Sequence, residues 1–255
     1  MRGAAAPRKG RECMRTQKRS KALGVGILFL LLFIAFTFVV SQIDVQGIGP
    51  NGSLVGLASV NGPARDLIGT NDLCYTVSEW LGYLSLLAAA LFCVIGLAQW
   101  IGRRSLARVD RELIWMYVFF AVVVILYVLF DRVVVNYRPV LEDGELAASY
   151  PSSHTMLVFS VFGMAIAGRF GSIFGSRRLR TAACWISGIL IAAMVAARLL
   201  SGVHWVTDIV GGLLLSCCVV AFYTACIRRR RRRGQSAARP SSAPAEPKLS
   251  EDDLL

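Results

Sequence analysis

Apolar and polar positions along this chain come in long blocks. Apolar runs fill residues 22–40, 79–101, 113–131, 154–170, 182–199 and 206–227, with polar stretches between them. Crossing the hydrocarbon core of a bilayer takes about 20 residues of helix. Irregular backbone cannot face lipid there, because its N–H and C=O groups would go unpaired. The pattern therefore predicts an all-α integral membrane bundle of six transmembrane helices. The first run carries no charge and follows a basic segment, as a cleaved signal peptide also would. It is longer than a usual signal core, and no small-x-small cleavage site follows Phe38-Val39-Val40. An uncleaved first span is expected.

Three regions follow from this layout: a basic segment at 1–21, a six-span membrane domain at 22–227, and a tail at 228–255 that is basic and then polar. The tail is rich in Ser, Ala and Pro from 234 onward and ends in an acidic cluster. Such a composition cannot bury a core, and disorder is expected. Residues 42–78 form a long Gly- and Asn-rich loop, of which 54–68 is expected to lie along the membrane surface. No internal repeat is visible.

Composition supports the membrane class. Of 255 residues, 55% are hydrophobic and only 17% charged, with a mean hydropathy of +0.57. The formal net charge of +12 raises the question of nucleic acid. The basic residues flank apolar runs and form no stripe interleaved with exposed aromatics, so no nucleic-acid partner is expected. The seven cysteines contain no C-x-x-C pair and fall mostly in apolar runs, which argues against a disulfide framework or a structural zinc site.

Charge also orients the bundle. Eight Lys and Arg precede the first run, four lie in loop 102–112, four in 169–181 and eight from Arg228 onward. The opposite side keeps only Arg65, Arg132, Arg138 and Arg198. By the positive-inside rule both termini are cytoplasmic. Three of the four exceptional arginines border two outer loops, 132–153 and 199–205. Both histidines of the chain, His154 and His204, lie there too. Ionisable residues at a membrane boundary against the orientation rule suggest function.

Three segments carry the candidate chemistry: Asn136-Tyr137-Arg138-Pro139, Pro151-Ser152-Ser153-His154, and Ala197-Arg198 through His204 to Asp208. If the last helix starts near Val203, His204 and Asp208 are four apart and share a face. A carboxylate there can hold one imidazole nitrogen and leave the other unprotonated as a nucleophile. His154 opens a helix just after Ser152-Ser153. The free N–H groups and positive dipole end of a helix N-terminus suit a phosphate oxyanion, and the serines can add hydroxyl donors. Arg138 and Arg198 present planar forks that match phosphate oxygens. Such a set suits phosphoryl transfer without a metal or other cofactor.

In order and spacing these segments resemble the signature of the type 2 phosphatidic acid phosphatase (PAP2) superfamily, which includes lipid phosphatases and vanadium haloperoxidases. Its pattern is K-x6-R-P, then P-S-x-H, then S-R-x5-H-x3-D. The resemblance covers roughly residues 80–227. It implies a PAP2/haloperoxidase-like core in which His204 attacks phosphorus and Asp208 orients it. His154 would protonate the leaving oxygen and then activate water, while Arg138, Arg198, Ser152 and Ser153 hold the phosphate. The expected activity is metal-independent removal of phosphate from a lipid phosphate or diphosphate at the extracytoplasmic face of a bacterial plasma membrane. Undecaprenyl diphosphate, phosphatidic acid and phosphatidylglycerol phosphate are candidate substrates.

Two positions depart from that pattern. Ala197 stands where the family has serine. Asp131 stands where the family has lysine, seven residues before Arg138. Either the adjacent Arg132 substitutes as a phosphate ligand, or Asp131 pairs with a nearby arginine and shapes the site. One helical step turns a side chain by about 100°, so the two are not equivalent. Competing functions are a lipid-linked phosphotransferase, in which a hydroxyl replaces water, and a non-catalytic lipid-binding protein of the same fold.

Other features have plainer readings. Gly211-Gly212 suits close helix packing better than a phosphate loop. Residues 228–233 read as a stop-transfer anchor. Trp80, Trp100, Trp115 and Trp205 near span ends fit an interfacial belt. Asn51-Gly52-Ser53 fits a glycosylation sequon that also arises often by chance.

Overall fold

The computed structural model of the protein describes residues 8–168, 170 and 173–228. The tail at 229–255 and the first seven residues, with the expectations placed on them, lie outside the described residues. Seven helices follow in order: α1 (Arg8–Gln42), α2 (Ala58–Ile68), α3 (Asp72–Arg103), α4 (Arg111–Arg132), α5 (Ser153–Gly168), α6 (Arg177–Ser201) and α7 (Val206–Ile227). Among the described residues there is no β-strand, only isolated bridges.

Five helices are long and apolar enough to cross a bilayer: the 20–42 part of α1, then α3, α4, α6 and α7. The expected fourth span, α5, has only 16 residues. At 1.5 Å per residue it is about 24 Å long, shorter than the hydrocarbon core. Its place in the bundle accounts for this. Nine of its residues, from Thr155 to Ala165, are buried, and it packs against α3, α4, α6 and α7. Half of the α7 window is buried too, against 17–22% in the other four. Helices α5 and α7 thus form an inner pair, while α1, α3, α4 and α6 turn large apolar side chains outward. Leu31, Leu87, Ile125 and Trp185 are among those exposed.

The inner pair packs through small residues. A Cβ on Gly211 would come within 2.5 Å of the Tyr150 ring, and one on Gly212 within 3.0 Å of the Ser152 carbonyl oxygen. That close approach fits the packing role expected for the two glycines. Tyr150 in turn stacks on Phe33 of α1 and shares a 2.8 Å hydrogen bond with Thr37, so α1 is tied to the outer loop as well as to α7.

The stretch expected along the surface contains α2, which is held to the bundle by a buried asparagine. Asn61 donates to the Gly56 carbonyl at 2.8 Å and to Thr207 Oγ1 at 2.9 Å. Of the tryptophans expected in an interfacial belt, Trp80 and Trp100 are exposed, but Trp205 is buried. Its indole N–H donates to the Tyr137 carbonyl at 2.7 Å, an internal strut and not a membrane anchor.

Candidate active site

The site forms where three interruptions in the helices meet: the junction between α6 and α7, the N-terminus of α5, and loop 133–152. Helix α6 stops at Ser201 because Gly202 takes the left-handed conformation, φ 68°. A side chain is strained at that φ, and a Cβ would also lie 1.9 Å from the Gly69 carbonyl oxygen. The chain then turns through His204 before α7 begins at Val206.

This start corrects the expectation of a helix from about Val203. His204 sits in the turn, and Asp208 occupies the third position of α7, where its carboxylate caps the helix. Oδ2 accepts the Trp205 backbone N–H at 2.8 Å. The helix start, not a shared helical face, brings the two residues together, with His204 Nδ1 3.5 Å from Asp208 Oδ2. Closer to the imidazole is a residue the motif reading missed. Ser149 Oγ lies 3.0 Å from His204 Nδ1 and donates its hydrogen to Asp208 Oδ2. A hydroxyl whose hydrogen goes to a carboxylate accepts through its oxygen, which assigns the proton to Nδ1. Nε2 is then the bare nitrogen, and it is buried without a protein partner. Burial, with the Arg138 and Arg198 cations adding to it, holds the imidazole well below its ordinary pKa, against a smaller opposing effect of Ser149. His204 is therefore neutral at pH 7.

Loop 133–152 folds back on itself to deliver Ser149 and Arg138. Tyr137 pairs with Ala148, and the Ser149 N–H donates to the Asn136 carbonyl at 2.9 Å. The Arg138 guanidinium is nearly buried and lies 3.3 Å from Glu142.

The N-terminus of α5 brings Ser152, Ser153 and His154. Ser152 is fully buried, its N–H on the Asp208 carbonyl at 3.0 Å and its Oγ accepting from Thr155 at 3.1 Å. Only Ser153 of the two serines lines the cavity. His154 and Arg198 face one side of α3. Arg198, fully buried on α6, pairs with Glu79 at 3.0 Å and donates to Ser78 Oγ at 3.0 Å. Its guanidinium also lies over the Tyr75 ring at 5.6 Å. His154 Nδ1 meets Arg198 Nη2, and Nε2 lies 3.3 Å from Glu79. One turn further, a Cβ on Gly82 would come within 2.8 Å of the His154 ring.

These contacts expose a second omission. Tyr75, Ser78, Glu79 and Gly82 recur at i, i+3, i+4 and i+7, one stripe along α3. A carboxylate inside an otherwise apolar helix was the available signal. The apolar run 79–101 begins at Glu79, so hydropathy alone does not single it out.

Next to the cluster lies a cavity of about 470 Å³, with Arg138, Ser149 and His154 on its polar side and Tyr83, Leu86 and Val124 on its apolar side. Asp131 is on its wall as well. Arg132, the suggested substitute for the family lysine, is not brought to the site. Its side chain is 83% exposed and only loosely paired with Asp131 at 3.9 Å. The helical step between the two residues sends one side chain to the cavity and the other outward. Among the described residues, no group of three or more His, Cys, Asp or Glu is placed to hold a metal.

Residues 134–232 match the model of the PAP2 superfamily. Comparison with curated proteins gives no match. Among solved structures, the chain resembles a transmembrane PAP2-type phosphatidylglycerolphosphate phosphatase from Bacillus subtilis, with a TM-score of 0.56 and 18% identity. The alignment covers 78% of this chain and 93% of that one. The stretch that carries all three motifs thus matches the PAP2 superfamily model, in a chain whose fold is similar to that of a transmembrane PAP2-type protein.

Proposed function

We propose that the protein is a membrane lipid phosphate or diphosphate phosphatase that works through a phosphohistidine on His204. The observation that carries this reading is the wiring of that residue. Nδ1 is tied through Ser149 to Asp208, and Nε2 is bare and buried, in the field of Arg138 and Arg198 and one residue behind the cavity wall that Ser149 forms. A protein that only bound lipid phosphates would need the arginines but not an oriented, neutral imidazole.

In the proposed reaction the Nε2 lone pair attacks phosphorus while Arg138 and Arg198 stabilise the equatorial oxygens. The bond to the leaving oxygen breaks, and that oxygen takes a proton from His154. His154 then removes a proton from water, whose oxygen displaces Nε2 and yields inorganic phosphate. Asp208 keeps the imidazole oriented and stabilises the charge that Nε2 substitution creates. The apolar wall of the cavity accommodates lipid chains. The scarcity of Lys and Arg around these loops supports an extracytoplasmic site, and the central place of α5 supports counting it as the sixth membrane helix.

The test is phosphate release by detergent-purified protein from a panel of lipid monophosphates and diphosphates, without added metal. The control is His204→Ala. Release by the wild type and a loss of at least about a thousandfold in the variant is the expected result. Equal release by both would sink the reading. Transfer of phosphate to an added alcohol at the expense of free phosphate would favour the transferase alternative.

A further inference from the structure

Two histidines meet in this site, and each has its own carboxylate. Asp208 serves His204 through Ser149. The second pairing involves Glu79, which lies outside the PAP2-matching segment and outside all three motifs. We infer that Glu79 is the positioning residue for His154, holding its Nε2 so that Nδ1 can deliver and recover the proton during phosphoryl transfer. This inference rests on the proposed phosphatase reaction.

The geometry carries the assignment. Glu79 divides its two oxygens between two partners: Oε1 lies 3.0 Å from Arg198 Nη2, and Oε2 lies 3.3 Å from His154 Nε2. His154 Nδ1 faces Arg198 Nη2. An arginine N–H can only donate, so in the resting site Nδ1 is the acceptor and Nε2 carries the hydrogen toward Glu79. A phosphate that claims Arg198 releases Nδ1. That nitrogen, next to the phosphate ligand, is then the one within reach of a substrate oxygen. The Glu79 carboxylate accepts the Nε2 hydrogen and so fixes which ring nitrogen faces the phosphate. The cycle balances if the substrate enters as the phosphate monoanion. Its proton passes to the freed Nδ1, and the imidazolium gives that proton to the leaving oxygen and becomes neutral. It then takes a proton from the attacking water, which it returns to the departing phosphate. Gly82 leaves room for the ring, and Ser78 and Tyr75 on the same stripe hold Arg198.

The discriminating experiment uses leaving groups of different basicity. An alkyl alcohol needs a proton to depart, whereas para-nitrophenol leaves as the anion. Wild type, Glu79→Gln and Glu79→Asp are compared on the best lipid monophosphate of the panel and on para-nitrophenyl phosphate. In kcat/KM, which covers the steps through leaving-group departure and not the later attack of water, Glu79→Gln is expected to lose about a hundredfold on the lipid but under about fivefold on the aryl ester. Glu79→Asp should recover part of the lipid activity. Equal losses on both substrates would mean that Glu79 merely supports phosphate binding through Arg198, and would overturn the inference. So would a wild type active only on diphosphates, whose departing phosphate needs no acid. Hydrolysis of neither substrate by the wild type overturns the phosphatase reading itself. Melting temperatures of the three proteins in detergent separate misfolding from lost chemistry.

Discussion

At the scale of single residues, Ser149 and Asp131 decide the most. Ser149 Oγ is closer to the His204 imidazole than Asp208 is, 3.0 Å against 3.5 Å. Ser149→Ala leaves the histidine without its nearest partner and free to rotate or change tautomer. We expect kcat to fall about 10- to 100-fold with KM changed less than about threefold, measured on the best lipid substrate. Asp131 puts a negative charge on the cavity wall, where a second phosphate would meet repulsion. Asp131→Lys should fold normally and raise the ratio of diphosphate to monophosphate hydrolysis by about three- to fivefold, one favourable charge contact at this solvent-exposed position being worth up to about 1 kcal/mol. An unchanged ratio would show that this position does not set specificity.

At the scale of elements, the site depends on helices that come unusually close. Gly82 and Gly211 separate two consequences of that closeness. On α3, Gly82→Ala pushes only against the His154 ring, a side chain. Activity should drop about 10- to 100-fold through displacement of His154, with the melting temperature nearly unchanged. On α7, Gly211→Ala meets the buried Tyr150 ring that ties the outer loop to α1. It should cost about 1–3 kcal/mol of stability by overpacking, visible as an earlier thermal unfolding in detergent. The same closeness explains why α5 can be short: it is surrounded by protein and needs no lipid-matched length.

At the scale of the whole molecule, charge orients the chain and burial sets its response to pH. A cysteine placed at the exposed Asp143, in a cysteine-free background, should react with a membrane-impermeant maleimide added to intact cells. One placed at the exposed Arg104 should not. The reverse result would turn the bundle over. His204 is buried neutral, with its folded pKa well below the value near 6.5 of the unfolded chain. The unfolded state therefore binds more protons below that pH, and stability falls as acid is added through it, with no contribution above. His204→Gln removes this group, so its melting temperature should fall less between pH 7 and pH 5 than that of the wild type.

Much of this was legible in the linear order of residues. Long apolar runs permit few structures in lipid, because every backbone group must be paired within a helix. The helical class and five of the spans therefore follow from hydropathy, and the orientation expected for them follows from charge. His154, His204, Asp208, Arg138 and Arg198 stood out because charged and titratable groups are rare beside such runs. The tertiary structure decided the rest. Glu79 lies far from His154 in sequence and meets it only because α3 packs against α5 and α6. Ser149 enters through the folding of a loop that no periodicity describes. Asp131 and Arg132 are neighbours in sequence, yet only the turn of α4 decided which of them faces the cavity. Composition reveals where a chain can cross lipid, since each residue contributes independently to that cost. Which side chains share a proton or a phosphate depends on pairs, and helix packing alone selects them.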